Sequence, residues 1–273
     1  MEVISGDFIT PSSLKKDFKK LGVQSGMNMI LHSSMKSLGG WVVGGAISVI
    51  LALEEQLGEE GTLVMPTHTP DLSDPSTWRN PPVRESWWED IREQMPAFDH
   101  DFTPCWEMGI IPEVFRKQRG VIRSSHPQLS FAAWGANREY ITANHSLAYG
   151  LGEQSPIARL YELDGWILLL GVGHGNNTCI HLAEYRADYE RKKEMMAKAP
   201  VMQGNKKAWV AYKEVDLDSS DFDAIGADFA RDTNHVRVGK VGNATALLLP
   251  VRDIVDYATI WMEKHRTLSA PIS

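Results

Sequence analysis

Apolar positions recur along this chain at two spacings, and the switches between them outline the fold. In TPSSLKKDFKKLGV, Leu14, Phe18 and Leu21 fall at helical intervals behind Thr and Ser caps, predicting an amphipathic helix. MNMILHSS predicts a strand, apolar at Met29, Ile30 and Leu31, that ends in polar residues. VVGGAISVILALEEQLGEEG predicts a glycine-initiated helix with Gly58 near its C-terminal end, and TLVMPTHT predicts the next strand. Strand, loop, helix and strand within about 40 residues form the pattern of a βαβ unit.

The same alternation continues. EMGIIPEVFRKQRGV predicts a helix, LSFAAWG a strand, and RLYELDGWILLLGVG a helix end, a turn at Asp164-Gly165 and a buried strand. HLAEYRADYERKKEMM predicts a second strong helix. After Pro200, KKAWVAYKEV favours strands, a short helix is expected near DSSDFDAIGADFA, and a strand pair around VRVGKVGNATALLLP precedes a closing helix, VRDIVDYATIWMEK. No internal repeat, low-complexity tract or linker interrupts the text. The expectation is therefore one α/β domain over residues 1–273, three layers (α/β/α) around a mixed sheet. Residues 70–106, rich in Pro, Asp and Trp and lacking a clean period, read as a long ordered insertion. Its tryptophans, Trp78, Trp87, Trp88 and Trp106, are expected to be shielded from water.

Composition narrows the class. With 43% hydrophobic residues, 273 positions can bury a substantial core, and a net charge of -7 excludes a nucleic-acid surface while suiting a cationic substrate. Cys105 and Cys179 are too few and too far apart for a disulfide scaffold or a CxxC metal site. MEVISGDFIT lacks the basic flank and apolar core of a signal peptide, and no stretch is apolar enough to span a bilayer. A cytoplasmic enzyme is expected, with a homodimer and a monomer both open.

Three polar stretches each follow a buried-looking strand: HSSMKSLGGWVVGG, RSSHPQLS and GVGHGNNTCIHLAEY. In open α/β sheets ligands gather beyond the carboxyl ends of strands, so their convergence predicts one site. The first offers hydroxyls at Ser33, Ser34 and Ser37 and close backbone approach at Gly44, suiting a pyrophosphate or a pantetheine chain; the alternative is a turn and a helix cap. In the second, His126 is flanked by Ser124 and Ser125, with Arg123 a cation in reach of a phosphate; a structural His-Pro loop is the alternative. In the third, His181 and Glu184 stand three apart on one helical face. A carboxylate beside an imidazole fixes its tautomer, raises its basicity and stabilises the imidazolium, which is the equipment of a general base. GHGNNT supplies donors for a developing oxyanion. A capped helix with a surface His–Glu contact is the alternative. The histidines lack zinc-site spacing, there is no G-x-S-x-G elbow, and Cys179 reads as packing or, less favourably, as a thiol nucleophile.

Taken together these segments resemble the aminoglycoside 3-N-acetyltransferase family. LHSSMKSLG-WVVGG, EEGTLVMPTHT, FDHDFTP-WEMGIIPE, RSSHPQLSFAAWG, HSLAYGLGEQSPIARLYELDG and LLLGVGHGNNTCIHLAEY follow one another in family order over about residues 28 to 190. The resemblance implies a fold distinct from the common acetyl-CoA-dependent (GNAT) superfamily. It implies transfer of acetyl from acetyl-CoA, without a metal, to an amine of an aminoglycoside. It assigns His32, Ser33, Ser34, Met35, Ser37, Leu38, Val42, Val43, Gly44, Ser124, Ser125 and His126 to the CoA side. His181 becomes the base and Glu184 its partner, with Asp71, Asp99, His174 and Asn177 facing the acceptor. One departure bears on the acceptor: resistance members carry an acidic residue where HSLAYG has Ala148. Two further alternatives stay open, a CoA-binding protein without turnover acting as a sensor or on an unknown partner, and a hydrolase or metalloenzyme.

Overall fold

The structure, a computed structural model, describes residues 6–267; residues 1–5, the first half of the MEVISGDFIT stretch read above as lacking signal-peptide features, and 268–273 lie outside the described residues. In chain order the first elements are β1 (Asp7–Ile9), α1 (Pro11–Leu21), β2 (Asn28–Ser33), β3 (Gly40–Val42), α2 (Ala46–Leu57) and β4 (Thr62–Pro66). Then come α3 (Trp88–Gln94), α4 (Ile110–Phe115), β5 (Ile122–Arg123), β6 (Phe131–Gly135), α5 (Arg138–Thr142), α6 (Pro156–Glu162) and β7 (Trp166–Leu170). The remainder is α7 (His181–Arg186), β8 (Glu194–Gln203), β9 (Lys206–Val215), α8 (Phe222–Asp232), β10 (Arg237–Val241), β11 (Ala244–Pro250) and α9 (Val251–His265).

Seven strands form the central sheet in the order β10–β11–β7–β2–β4–β6–β5. Its middle, β7–β2–β4, is parallel, and antiparallel strands flank it on both sides. Side chains of a strand alternate between its faces, so a sheet covered on both sides needs unbroken apolar runs. MILH, LVM and WILLL supply them. Met29, Leu31, Leu63, Met65, Leu168 and Leu170 join the core beneath α1 and α2. Ile30, Val64, Ile167 and Leu169 face the opposite core with α6, α7, α8 and α9. The result is three layers, α/β/α, around a mixed sheet. The βαβ unit is β2–α2–β4, and its two strands are parallel neighbours.

Two expectations change. The helix expected over 181–196 ends at Arg186: Ala187 turns extended, and the Lys192 ammonium binds the carbonyls of Tyr185 and Ala187 at 2.8 and 3.0 Å. Residues 194–203 instead pair along their whole length with β9, and this ladder outweighs the helical propensity of EMMAK. The 70–106 stretch is ordered and docks on that hairpin, with Trp209 Nε1 donating to Arg92 O (2.8 Å) and Phe98 N to Pro200 O (3.1 Å). Its tryptophans are not all shielded, however, since Trp87 and Trp106 are about half exposed, at 50% and 51%. The hairpin also anchors this stretch through Lys207 Nζ, which donates to the carbonyls of Arg92 (3.1 Å) and Met95 (2.8 Å), and through the Lys198–Asp74 ion pair at 3.5 Å.

Candidate active site

Because β7, β2 and β4 are parallel neighbours, the segments leaving their carboxyl ends lie side by side. Ser34 N donates to Leu170 O and Ser37 Oγ to Gly171 O, both at 2.9 Å, tying the loop after β2 to the loop after β7. Thr67 N donates to Ser130 O (2.9 Å) and Thr69 N to Gln128 O (2.8 Å), tying the residues after β4 to RSSHPQLS. The three polar stretches meet at one end of the sheet.

The centre of this end is an imidazole held by a carboxylate. Helix α7 begins at His181, and its turn brings Glu184 onto the same face, where His181 Nδ1 donates to Glu184 Oε2 at 2.5 Å. Glu184 is fully buried. Its other oxygen, Oε1, accepts from Arg266 Nη1 at 2.6 Å and from Asp218 N at 2.9 Å. Arg266, just after α9, also grips Asp221, the carbonyl of Asp218 and Tyr189 Oη. The His181 ring packs on Phe222, centroids 4.7 Å apart. The pair is thus a buried, doubly supported contact, and the surface alternative does not describe it. The geometry puts the proton on Nδ1 and leaves Nε2, on the far edge of the ring, for a ligand.

Further histidines surround it. His32 is the penultimate residue of β2, His68 follows β4 by two positions, and His174 follows β7. Burial drives all three toward the neutral form, His32 to about 3, and a charge on His181 would further oppose protonation of His32 and His68. His32 Nε2, His68 Nε2 and Asp71 Oδ1 are buried without a hydrogen-bond partner. His68 was not among the sequence candidates. Its signal was present, a polar residue just past the carboxyl end of a buried strand, but TLVMPTHT carries no second polar cluster to draw attention to it.

Other sequence candidates divide into those lining this end and those built into the scaffold. Ser33, Ser34, Met35, Ser37 and Val43 are half-buried and Gly44 and Ser125 exposed, whereas Leu38 and Val42 belong to the core. Ser124 Oγ contacts His145 Nδ1 and accepts from Phe131 N, both at 2.9 Å. His126 Nδ1 accepts the backbone amides of Gln128 and Leu129, while Nε2 donates to Leu147 O. Both of its ring nitrogens are thus committed to the scaffold, and burial lowers its pKa to about 3. Arg123 is not free for a phosphate: its guanidinium binds the carbonyls of Thr67, His100 and Thr103. Asp99 caps the turn of residues 101–102. Asp71 is half-buried, and desolvation raises its carboxyl pKa.

GHGNNT, expected to supply oxyanion donors, has several of its groups committed to the scaffold. Gly175 N donates to Asp223 Oδ1, Asn176 N to Gly173 O, Asn177 N to His174 O, and the Asn177 side chain accepts Cys179 N. The stretch holds His174 instead. Position 226 in α8 must be glycine for this ring, since a Cβ there would lie 2.1 Å from His174 Cδ2. Cys179 is fully buried and its thiol pKa is pushed up by desolvation, which removes it as a nucleophile. Among the described residues no group of three or more His, Cys, Asp or Glu side chains is arranged to hold a metal ion. None of the helices described is long and apolar enough to cross a membrane.

A cavity of about 420 Å³ opens beside α7, lined by Ser146, Ala148, Tyr149, Glu153, Tyr185 and Glu194 among others. Tyr185, one turn beyond His181, joins it to the imidazole's helix. Its carboxylates are already partnered, Glu153 by Arg186 and Glu194 by Tyr149 and Lys213.

A three-layer fold with an imidazole–carboxylate pair beyond its parallel strands is matched by known proteins. The chain belongs to the aminoglycoside 3-N-acetyltransferase family, an acyltransferase family, whose pattern covers residues 30–263. It is 45% identical, over 92% of each chain, to the SPbeta prophage-derived aminoglycoside N(3')-acetyltransferase-like protein YokD of Bacillus subtilis. The crystal structure of YokD superposes with a TM-score of 0.91, covering 94% of both chains at 44% identity. Aminoglycoside N(3)-acetyltransferase III of Pseudomonas aeruginosa is 32% identical over 94% of each chain. The binary complex of AAC-IIIb with CoASH superposes with a TM-score of 0.85 at 29% identity, covering 97% of this chain and all of that one. The fold is that of these enzymes, not of the common acetyl-CoA-dependent superfamily.

Proposed function

We propose that this protein transfers the acetyl group of acetyl-CoA to the 3-amino group of an aminoglycoside or a related amine, with His181 as general base. The observation that carries the reading is the 2.5 Å contact between His181 Nδ1 and a fully buried Glu184. The amine nitrogen attacks the thioester carbonyl carbon, the carbonyl electron pair moves to oxygen, and Nε2 of His181 takes the amine proton. Collapse re-forms the carbonyl and expels CoA thiolate, which takes the proton back from the imidazolium. Such base catalysis contributes about 10²–10⁴-fold in rate.

Support for CoA comes from the loop after β2. Helix α2, 12 residues long, begins at Ala46 behind an N-cap, Gly45, that has no side chain to bond its first amides; Ser48 N bonds back to Gly45 O, and the amides of Ala46 and Ile47 are left for an anionic group. AAC-IIIb, which holds CoASH, shares the fold from end to end. Support for an aminoglycoside comes from the names of the relatives and from the overall acidity of the chain. The test is release of free thiol from acetyl-CoA with a panel of aminoglycosides and simple amines. Wild-type protein is expected to turn over, and His181→Ala to lose at least 10²-fold while calorimetry shows unchanged CoA binding. Full turnover by His181→Ala would remove His181 as the base.

A further inference from the structure

Acyl transfer through a tetrahedral adduct needs a donor aimed at the oxygen that becomes negative. The loop that best promised one, GHGNNT, has the amides of Gly175, Asn176 and Asn177 already bonded, to Asp223, Gly173 and His174. What the site holds in their place is a pair of imidazoles, each with a buried nitrogen that no protein group satisfies, His32 Nε2 and His68 Nε2. Buried polar atoms without partners are rare because they are costly, and at a functional site they mark a place for a ligand atom.

Of the two residues His68 is the more exposed: it is half-buried, whereas His32 is 5% exposed near the end of a central strand. Its backbone is fixed on both sides. Thr67 N and Thr69 N bond to Ser130 O and Gln128 O, Arg123 Nη2 donates to Thr67 O (2.7 Å), and His68 O accepts from Trp106 N (2.9 Å). The ring stands edge-on to Phe131 with centroids 5.1 Å apart. It is therefore held rigidly on an extension of β4, as a preorganised group must be. Burial drives it toward the neutral form, and so does its proximity to His181 and His32. A neutral imidazole offers one N–H donor, which is what a developing oxyanion needs.

Resting on the acyl-transfer reading above, we infer that His68, protonated on Nε2, is a further catalytic residue that donates to the thioester carbonyl oxygen of acetyl-CoA and to the oxyanion formed from it. His181 then moves the proton and His68 steadies the charge, two imidazoles with separate tasks, one at the start of α7 and one just past β4.

Two measurements test this. The first needs no acceptor: difference infrared spectra of acetyl-CoA labelled at the acetyl carbonyl, bound to wild type, His68→Gln and His68→Phe. The carbonyl stretch is expected to fall on binding to wild type and to His68→Gln, whose amide nitrogen approaches the Nε2 position, and to return to its free-solution value in His68→Phe. An equal stretch in wild type and His68→Phe overturns the assignment, as does its loss in His32→Gln but not in His68→Phe. The second is turnover: His68→Phe is expected to lose about 10²–10³-fold in kcat. Its KM for acetyl-CoA should stay within a few-fold and its pH–rate profile should keep its shape, with partial recovery in His68→Gln. If wild type acetylates no amine, the proposed function fails while the binary-complex spectrum still decides His68.

Discussion

Arg266 Nη1 lies 2.6 Å from Glu184 Oε1, on the opposite side of the carboxylate from His181. One buried carboxylate thus joins a guanidinium from just after α9 to the imidazole at the start of α7, so the His181 ring is oriented through a contact between residues 82 positions apart. Removing the guanidinium leaves that oxygen with only the Asp218 amide and strands Asp221 as well. Arg266→Met is therefore expected to lower stability by about 3–5 kcal/mol, the range for breaking a buried ion pair. Among molecules still folded, kcat should drop further than the KM for acetyl-CoA rises. Denaturant titration and steady-state kinetics check both, and unchanged kcat in folded protein would show that Arg266 only stabilises.

Glu184→Gln replaces an acceptor by a group that also donates. The His181 ring then loses the partner that keeps its proton on Nδ1, and the lone pair needed on Nε2 is no longer assured. Turnover should fall by about 10²–10⁴-fold, with CoA affinity by calorimetry near wild type. A variant at wild-type rate would mean the 2.5 Å contact has no part in turnover.

Gly226→Ala places a methyl 2.1 Å from His174 Cδ2, inside a helix where alanine would otherwise be favoured. Overpacking is expected to win, costing about 1–3 kcal/mol. A gain in urea midpoint would show that the His174 ring moves aside freely.

Acidification should destabilise the fold before the carboxylates titrate. His32, His126 and His145 are buried neutral, with pKa values near 3, 3 and 4, below the 6.5 of an exposed imidazole. In the unfolded chain they gain protons as pH falls through about 6.5, in the folded chain only near 3–4, so the unfolded state binds more protons in between. Stability is whole above that window and is lost by about 1.4 kcal/mol per pH unit for each such histidine as pH falls within it. Urea midpoints at pH 7.5, 6 and 5 should decline steadily, with proton uptake on unfolding. A flat profile would contradict the buried neutral state.

Ala148 lines the cavity beside Tyr185, where the carboxylates already have partners. Ala148→Glu adds an unpaired acid, and a polycationic acceptor should gain about 0.5–1 kcal/mol, two- to five-fold in KM. The KM of a monoamine should change less. Equal effects on both acceptors would place the acceptor elsewhere.

The sheet was legible because β2, β4 and β7 are buried on both faces and write themselves as uninterrupted apolar runs, and the His181–Glu184 pair because helical spacing alone brings positions i and i+3 together. The hairpin of β8 and β9 was half legible: KKAWVAYKEV reads as a strand, but EMMAK looks helical until its partner is known, and pairing between strands is a tertiary fact. Arg266 and His68 were invisible for a related reason. Neither has a local partner, and each gains its role from residues more than 60 positions away.

The closure of residue 266 on residue 184 also sets an order of events during synthesis. A chain halted before α9 can already hold His181 and Glu184 on one turn, yet their buried carboxylate lacks its countercharge, so the proposed base is expected to mature only when the far helix docks. Regain of acetylation during refolding should therefore lag the recovery of secondary structure, reporting the arrival of that last strut.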